Sequence, residues 1–214
     1  MKDLIIYGAG GLAREVAELV NDINSVSPCW NIKGFIDDLQ GKCPEKLQSS
    51  SIIGTWEALK EAAQDTYVVI AVGDPGSKEK IYNRICCLDN LRFPVLIHPS
   101  ARVARNAAIG DGSVISIDSI VSTGVHIGKH VFLNMRTVVG HDAQIDDFCS
   151  CLVNCVVAGS VHIMEGTLVG SGSIIMEKKT VGKKCRLSMG SIVNFDVEDH
   201  HTVLTPPSKS IYFG

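Results

Sequence analysis

From residue 97 to residue 193 an aliphatic or small apolar residue returns at every sixth position. The series is Ile97, Val103, Ile109, Ile115, Val121, Ile127, Leu133, Val139, Ile145, Cys151, Val157, Ile163, Val169, Ile175, Val181, Leu187 and Val193. A second series of mostly small residues stands four places after each of these, from Ala101, Ala107, Ser113 and Ser119 through Cys149 and Cys155 to Cys185 and Ser191. Across each junction the two series lie two residues apart, so on a short strand both side chains leave the same face. The three residues in between must turn. Apolar positions at a period of six make no stripe on a helix of 3.6 residues per turn. Short strand plus corner, repeated, closes a triangular coil every three units, and the coils stack by parallel pairing into a β-helix. The late units are less regular: Lys179 falls on an inward position, and Met164 and Met176 replace glycine-like corner residues. A buried lysine is costly unless paired, so a bulge or a solvent-open rim is expected near residues 176–180.

This hexad resembles the repeat of the left-handed β-helix acyltransferases. The left-handed sense is implied by the resemblance and not by the spacing, because parallel crossovers are otherwise almost always right-handed. The chain of 214 residues has room for a second unit before the repeat, and the division is placed between 1–93 and 94–214.

A net charge of −3 with acids and bases intermixed gives no electrostatic case for nucleic acid or an anionic membrane. No stretch approaches the roughly 18 apolar residues that span a bilayer. The opening Met1-Lys2-Asp3, followed by Leu4 to Tyr7 and then glycines, is too short for a signal peptide, and a cytoplasmic location is expected. Of eight cysteines, Cys149, Cys151, Cys155 and Cys185 fall on inward positions, where a free thiol packs as a small hydrophobe. Cys29, Cys43, Cys86 and Cys87 lack CxxC spacing and a histidine at zinc-site intervals, so neither a metal nor a disulfide framework is expected.

Before the repeat, Leu4–Tyr7 reads as a strand and meets Gly8-Ala9-Gly10-Gly11-Leu12-Ala13, after which Arg14–Val20 reads as a helix. Strand, glycine loop and helix form the arrangement in which backbone N–H groups and a helix N-terminus cradle phosphate. Glycines that only permit a tight turn are the plainer alternative. Gly34 to Asp38 reads as a second strand whose acids, Asp37 and Asp38, stand where a carboxylate would meet a ribose hydroxyl, or where a turn begins. Trp56–Ala63 reads as a helix with Thr55 as its N-cap, Tyr67–Val72 as a buried strand, and Lys78 to about Leu88 as a helix capped by Ser77. This alternation predicts a small, Rossmann-like parallel α/β sheet.

These segments resemble the nucleotide-sugar-binding domain of bacterial sugar acetyltransferases, which include nucleotide-amino-sugar N-acetyltransferases and sialic acid O-acetyltransferases. The matching residues are Gly8 to Gly11 with Arg14-Glu15-Val16, Phe35 to Asp38, Ala71-Val72-Gly73, Lys80-Ile81-Tyr82 and Ile97-His98-Pro99. The resemblance implies that Gly8, Gly10, Gly11, Asp37, Asp38 and Gly73 hold the nucleotide part of a sugar substrate.

Within the repeat, His141 and Asp142 lie in the corner between inward Val139 and inward Ala143. A carboxylate beside an imidazole fixes its tautomer and stabilises the imidazolium, as a general base requires. His, Asp and Gly are also ordinary turn residues. One coil is three hexads, so Gly159 stacks on this corner and offers an unhindered N–H to an oxyanion. The run Asn134, Gly140-His141-Asp142 and Ala158-Gly159 resembles the family motif, which implies His141 as base, Asp142 as its orienting acid, Asn134 at the sugar, and Gly159, Ser150 and Gly170 along acetyl-CoA. The family often carries a second histidine where this chain has Ser150, and some members carry Glu where it has Asp142. His126, His130 and His162 are expected as surface corner residues. Thr205 to Lys209 resembles the family's closing segment.

The expected function is direct acetyl transfer from acetyl-CoA to a nucleotide-linked amino-sugar by a homotrimer with sites between subunits. Alternatives are O-acetylation of a sialic acid or another sugar, a silent nucleotide-sugar-binding trimer, and an oxidoreductase resting on the glycine loop alone.

Overall fold

The structure, a computed structural model, describes residues 1–39 and 51–206. Cys43 and the Pro207-Ser208-Lys209 part of the closing segment lie outside the described residues.

The first unit is a parallel sheet of β1 (Lys2–Tyr7), β2 (Trp30–Ile36), β3 (Ile52–Gly54), β4 (Thr66–Ile70) and β5 (Leu91–Arg92) in the order β3-β2-β1-β4-β5. Helix α1 (Gly11–Val26) buries Ala13, Val16, Ala17, Leu19 and Val20 on one face of the sheet, and α2 (Pro75–Ile85) lies by Ile5, Val68 and Ile70 on the other. Three local expectations change. Asp74, not Ser77, caps α2, its carboxylate accepting from Ser77 N–H at 2.9 Å; Pro75 at the first helical position needs no N–H partner. The helix expected over Trp56–Ala63 is a 3-10 turn at Trp56–Glu61, and Thr55 makes no side-chain cap.

From Leu96 onward two-residue strands recur every six residues and build three sheets, each strand pairing with the one eighteen residues on, as in Val138 with Val156 and Val139 with Val157. The inward residues from Ile115 to Val193 form one continuous core. Val103 and Ile109 are half-buried against it and Ile97 is 37% exposed, because no coil lies beneath the first one. Most hydroxyls and thiols on the second inward series donate to a corner carbonyl fifteen residues later, as Ser113 to Gly128, Ser119 to Asn134, Cys149 to Met164 and Thr167 to Gly182. This explains the choice of small donors there, since a buried corner carbonyl otherwise goes unpaired. Burial pushes the Cys149 thiol up to about 12 and Cys155 to about 11, so these sulfurs are inert packing groups.

Every sixth residue from 112 to 190 turns the corner with a positive φ, between 52 and 74°. Non-glycine residues hold most of these places, among them Asp118, His130, Asp142, Asn154 and Ser160. Asn and Asp tolerate this region best, and the stacked coils fix the rest. The coils do not bulge near 176–180: Ile174–Ile175 and Thr180–Val181 pair in register, and Lys179 stays half-exposed at the rim.

The three outer faces differ. One presents Ile120, Val138, Val156, Ile174 and Ile192 in adjacent strands, with Ile120 and Ile174 each 42% exposed and Ile192 68%. The second presents Ala108, His126, Gln144, His162 and Thr180. The third carries the α/β unit: Leu96, Val114 and Phe132 pack under α1, and Lys78, Asp74 and Glu79 at α2 meet Ser150, Arg186 and Lys184. That docking buries His130, expected at the surface, among Tyr82, Phe93 and Phe148. His126 and His162 stand on strands of the second face, and His162 Nε2 bonds Asp146.

Candidate active site

His141 and Asp142 occupy the corner between the apolar face and the polar face. Asp142, at φ 59°, turns its carboxylate back so that Oδ2 accepts from His141 Nδ1 at 2.9 Å. A carboxylate accepts only, so Nδ1 carries the proton and Nε2 the lone pair. The pair is open to solvent, at 64% and 66% exposed side chains. Gly159 lies over the ring, where a Cβ would meet His141 Nε2 at 2.6 Å and Cε1 at 2.7 Å. Gly140 is needed for the same close approach, since its Cβ would stand 2.6 Å from Gly159 N. Gly159 N–H donates to no partner among the described residues, while Gly159 O accepts from Lys178 N–H. A base and a free backbone donor thus share one corner.

Asn134 and Gly170 lie at the other edge of the apolar face, two coils apart in the stack that also holds Ser116. Asn134 is 8% exposed and its Oδ1 accepts from Met135 N–H, while a Cβ on Gly170 would strike Leu187 O and Met189 N. Ser150 is elsewhere. It is wholly buried on the third face, with Oγ accepting from Lys78 Nζ at 3.0 Å, so no surface of it is left for a cofactor. Burial pushes the Lys78 ammonium down to about 7. The docking of α2, invisible in the hexad arithmetic, is the reason for this correction.

In the α/β unit Gly8 is fixed by packing: φ is 115° and a Cβ would sit 2.8 Å from Ala71 O. Gly10 and Gly11 differ, for a Cβ on Gly10 meets nothing within 4 Å and on Gly11 only the tip of Arg14. Neither packing nor a left-handed backbone demands glycine at these two places; close approach by a ligand would. The N-terminus of α1 has no side-chain cap, which leaves its first N–H groups facing the loop. Asp37 Oδ2 accepts from Ala9 N–H at 3.0 Å and so holds the loop. Asp38 is occupied by Tyr7 Oη at 2.8 Å, Trp56 N–H at 3.1 Å and Arg84 Nη1 at 2.6 Å. Gly73 lies three residues past β4, where a Cβ would meet Leu12 at 3.7 Å.

The glycine loop opens onto a cleft of about 670 Å³ between α1 and the prism, lined by Gly11, Arg14, Glu15, Glu18, Leu19 and Asp22 on one side and by His98, Ser116, Ile117 and Met135 on the other. Cleft and Asn134 share one edge of the apolar face, and His141 is on the other. Arg14 and His98 stood in matched segments without a role, and Met135 and Asp22 carried no signal in the sequence. No group of residues suited to hold a metal occurs among the described residues, and no described helix is long and apolar enough to cross a membrane.

Residues 3–85 match the family described as the PglD N-terminal domain. GDP-perosamine N-acetyltransferase from Escherichia coli O157:H7 is 28% identical over 174 residues, 80% of this chain and 77% of that protein. The acetyltransferase domain of PglB from Neisseria gonorrhoeae FA1090, in complex with acetyl coenzyme A, superposes with a TM-score of 0.87 at 28% identity, covering 98% of this chain and 99% of that one. By these likenesses the chain is an acetyltransferase that resembles the sugar acetyltransferases of the hexapeptide type. Perosamine N-acetyltransferase from Caulobacter crescentus, in complex with CoA and GDP-perosamine, shares the fold at TM-score 0.86 and 21% identity, with 98% of this chain and 96% of that one covered. The prism of this acetyltransferase is accordingly the left-handed β-helix.

Proposed function

We propose that this acetyltransferase moves an acetyl group from acetyl-CoA directly to the amine of a nucleotide-linked amino-sugar, with His141 as general base. The observation that carries the reading is the His141 corner: a tautomer fixed by Asp142, a free Nε2 lone pair, and Gly159 N–H beside it. The nucleotide lies at Gly10, Gly11 and the α1 N-terminus, with Gly8, Asp37, Asp38 and Gly73 shaping the loop around it and Asn134 bordering the sugar. The neutral amine attacks the thioester carbonyl as Nε2 takes its proton. The oxyanion of the tetrahedral intermediate rests on Gly159 N–H, and collapse expels the thiolate, which recovers the proton from the imidazolium. Gly159 and Gly170 line the acetyl-CoA path. The amine is favoured over a hydroxyl acceptor because relatives at 28% identity include an N-acetyltransferase.

Glycine loop and His141 stand at opposite edges of the apolar face, so one chain does not bring them together. We infer a homotrimer in which the exposed Ile120, Val156, Ile174 and Ile192 face pairs between copies, setting the cleft edge of one chain beside the His141 edge of the next. Free thiols and these substrates fit a cytoplasmic enzyme, and we take 1–93 and 94–214 as its two units.

The test is thiol release from acetyl-CoA with UDP- and GDP-linked amino-sugars and their hydroxyl counterparts. Turnover with an amino-sugar supports the reading; turnover with hydroxyl acceptors alone replaces it by O-acetylation, and binding without turnover by a silent trimer.

A further inference from the structure

Asp22, on the fourth turn of α1, accepts a hydrogen bond from Nε2 of His98 at 2.9 Å, and His98 is 8% exposed. The backbone sets the tautomer. Ser100 N–H donates to His98 Nδ1 at 3.0 Å, and an N–H cannot accept, so Nδ1 keeps its lone pair and Nε2 carries the proton. Ser100 Oγ accepts from Asp118 N–H at 3.1 Å and donates to Asp118 Oδ1 at 2.8 Å, which ties the first coil to the second.

Asp22, His98 and Ser100 stand in the order of a nucleophile triad, with Ser100 Oγ 2.9 Å from Nδ1. They cannot act as one. The lone pair that would take the hydroxyl proton already receives a backbone N–H, and that proton is already directed at Asp118. What the network does is join α1 to the prism. Val16, Leu19 and Val20 of α1 also share an apolar cluster with Leu96, Val114 and Phe132 of the β-helix. Apolar burial holds a helix down without fixing its position along the surface, because it has no direction. The hydrogen bond from His98 has one. Gly11 lies three turns along the same rod, about 16 Å from Asp22 at 1.5 Å per residue.

We propose that His98 is a positioning residue for the nucleotide-sugar: through Asp22 it fixes α1, and with it the glycine loop, against the edge that carries Ser116, Ile117 and Met135, and so sets the width of the cleft. The proposal rests on the nucleotide lying in that cleft and not on the acetyl transfer itself.

The test compares His98→Ala, His98→Gln, Asp22→Leu and Asp22→Asn in the full chain. A neutral Nε2–H needs only an oxygen to accept it, so Asp22→Asn loses clearly less than Asp22→Leu. Asp22→Leu and His98→Ala raise KM for the nucleotide-sugar roughly five- to tenfold, the worth of one hydrogen bond, with kcat and KM for acetyl-CoA unchanged, and His98→Gln recovers part of the loss. GDP and UDP binding by calorimetry gives the same ranking, so failure to find an acceptor leaves the test intact. Nitrogen-15 shifts of the free protein report His98 with Nδ1 unprotonated. The proposal is overturned if kcat falls instead of KM rising, if Asp22→Leu behaves as wild type, if Asp22→Asn behaves as Asp22→Leu, if the proton is on Nδ1, or if wild type binds neither nucleotide.

Discussion

The imidazole of His141 rests against the α-carbon of Gly159 one coil further along, so near that a methyl group there would lie 2.6 Å from Nε2. Gly159→Ala must therefore displace the ring. Because His141 is 64% exposed, it can swing outward at little cost in stability. The expected result is a roughly 10- to 100-fold loss of kcat/KM, as misplacement of a reacting group commonly gives, with a melting temperature close to wild type. Parallel steady-state kinetics and calorimetry decide it.

In the proposed mechanism Asp142 acts only through His141. Asp142→Asn keeps the shape and lets the ring adopt the other tautomer, which should lower kcat by about tenfold or more while KM for either substrate stays put. The effect is smaller than in a buried pair because this one faces solvent. An unchanged kcat in the variant would remove Asp142 from the mechanism.

His130 couples stability to pH. Burial, aided by Lys78 and Lys129, pushes its imidazolium down to about 3, and its Nδ1 has no hydrogen-bond partner. Between that value and the ordinary value near 6.5 the unfolded chain binds the proton and the folded one does not, so stability falls as pH drops through this window. His130→Phe keeps the stack with Phe148 and should flatten that slope, by on the order of a few kcal/mol across the window, in urea melts at successive pH values.

Val156 and Ile174 are neighbours on the exposed apolar face. Val156→Glu places a charge in the inferred subunit contact and should yield monomers in light scattering, with the fold retained in circular dichroism. If sites form between chains, mixing unfolded His141→Ala with Gly10→Leu and refolding should restore about a quarter of wild-type activity, since each random site needs both intact partners. Two separately inactive proteins that stay inactive on mixing would place the whole site in one chain.

Inward positions were legible because burial leaves the same steric demand on every coil: Val139, Ile145, Cys151 and Val157 are all fully buried. Outward positions were not, because what covers them comes from elsewhere in the chain. Ser150 carries the same strand geometry as Gln144, yet Lys78 buries one while the other faces solvent. His130 was misplaced for the same reason, and the His98–Asp22 bond spans two units whose docking no local pattern reports. The left-handed corners were hidden by side chains such as Arg136 and Phe148, which the stacked coils force into that conformation. Of the site, the stacking of Gly159 over His141 followed from arithmetic alone, whereas the separation of His141 from the cleft required the faces to be distinguished.

The reaction proposed for this corner is acetyl transfer to a sugar amine. The direct measurement is the rate of CoA thiol release with a nucleotide-linked amino-sugar, for wild type and His141→Ala at saturating acetyl-CoA. Wild type is expected to turn over, and the variant to lose about 100-fold or more in kcat, the usual scale for a missing general base. Full activity in His141→Ala would contradict it.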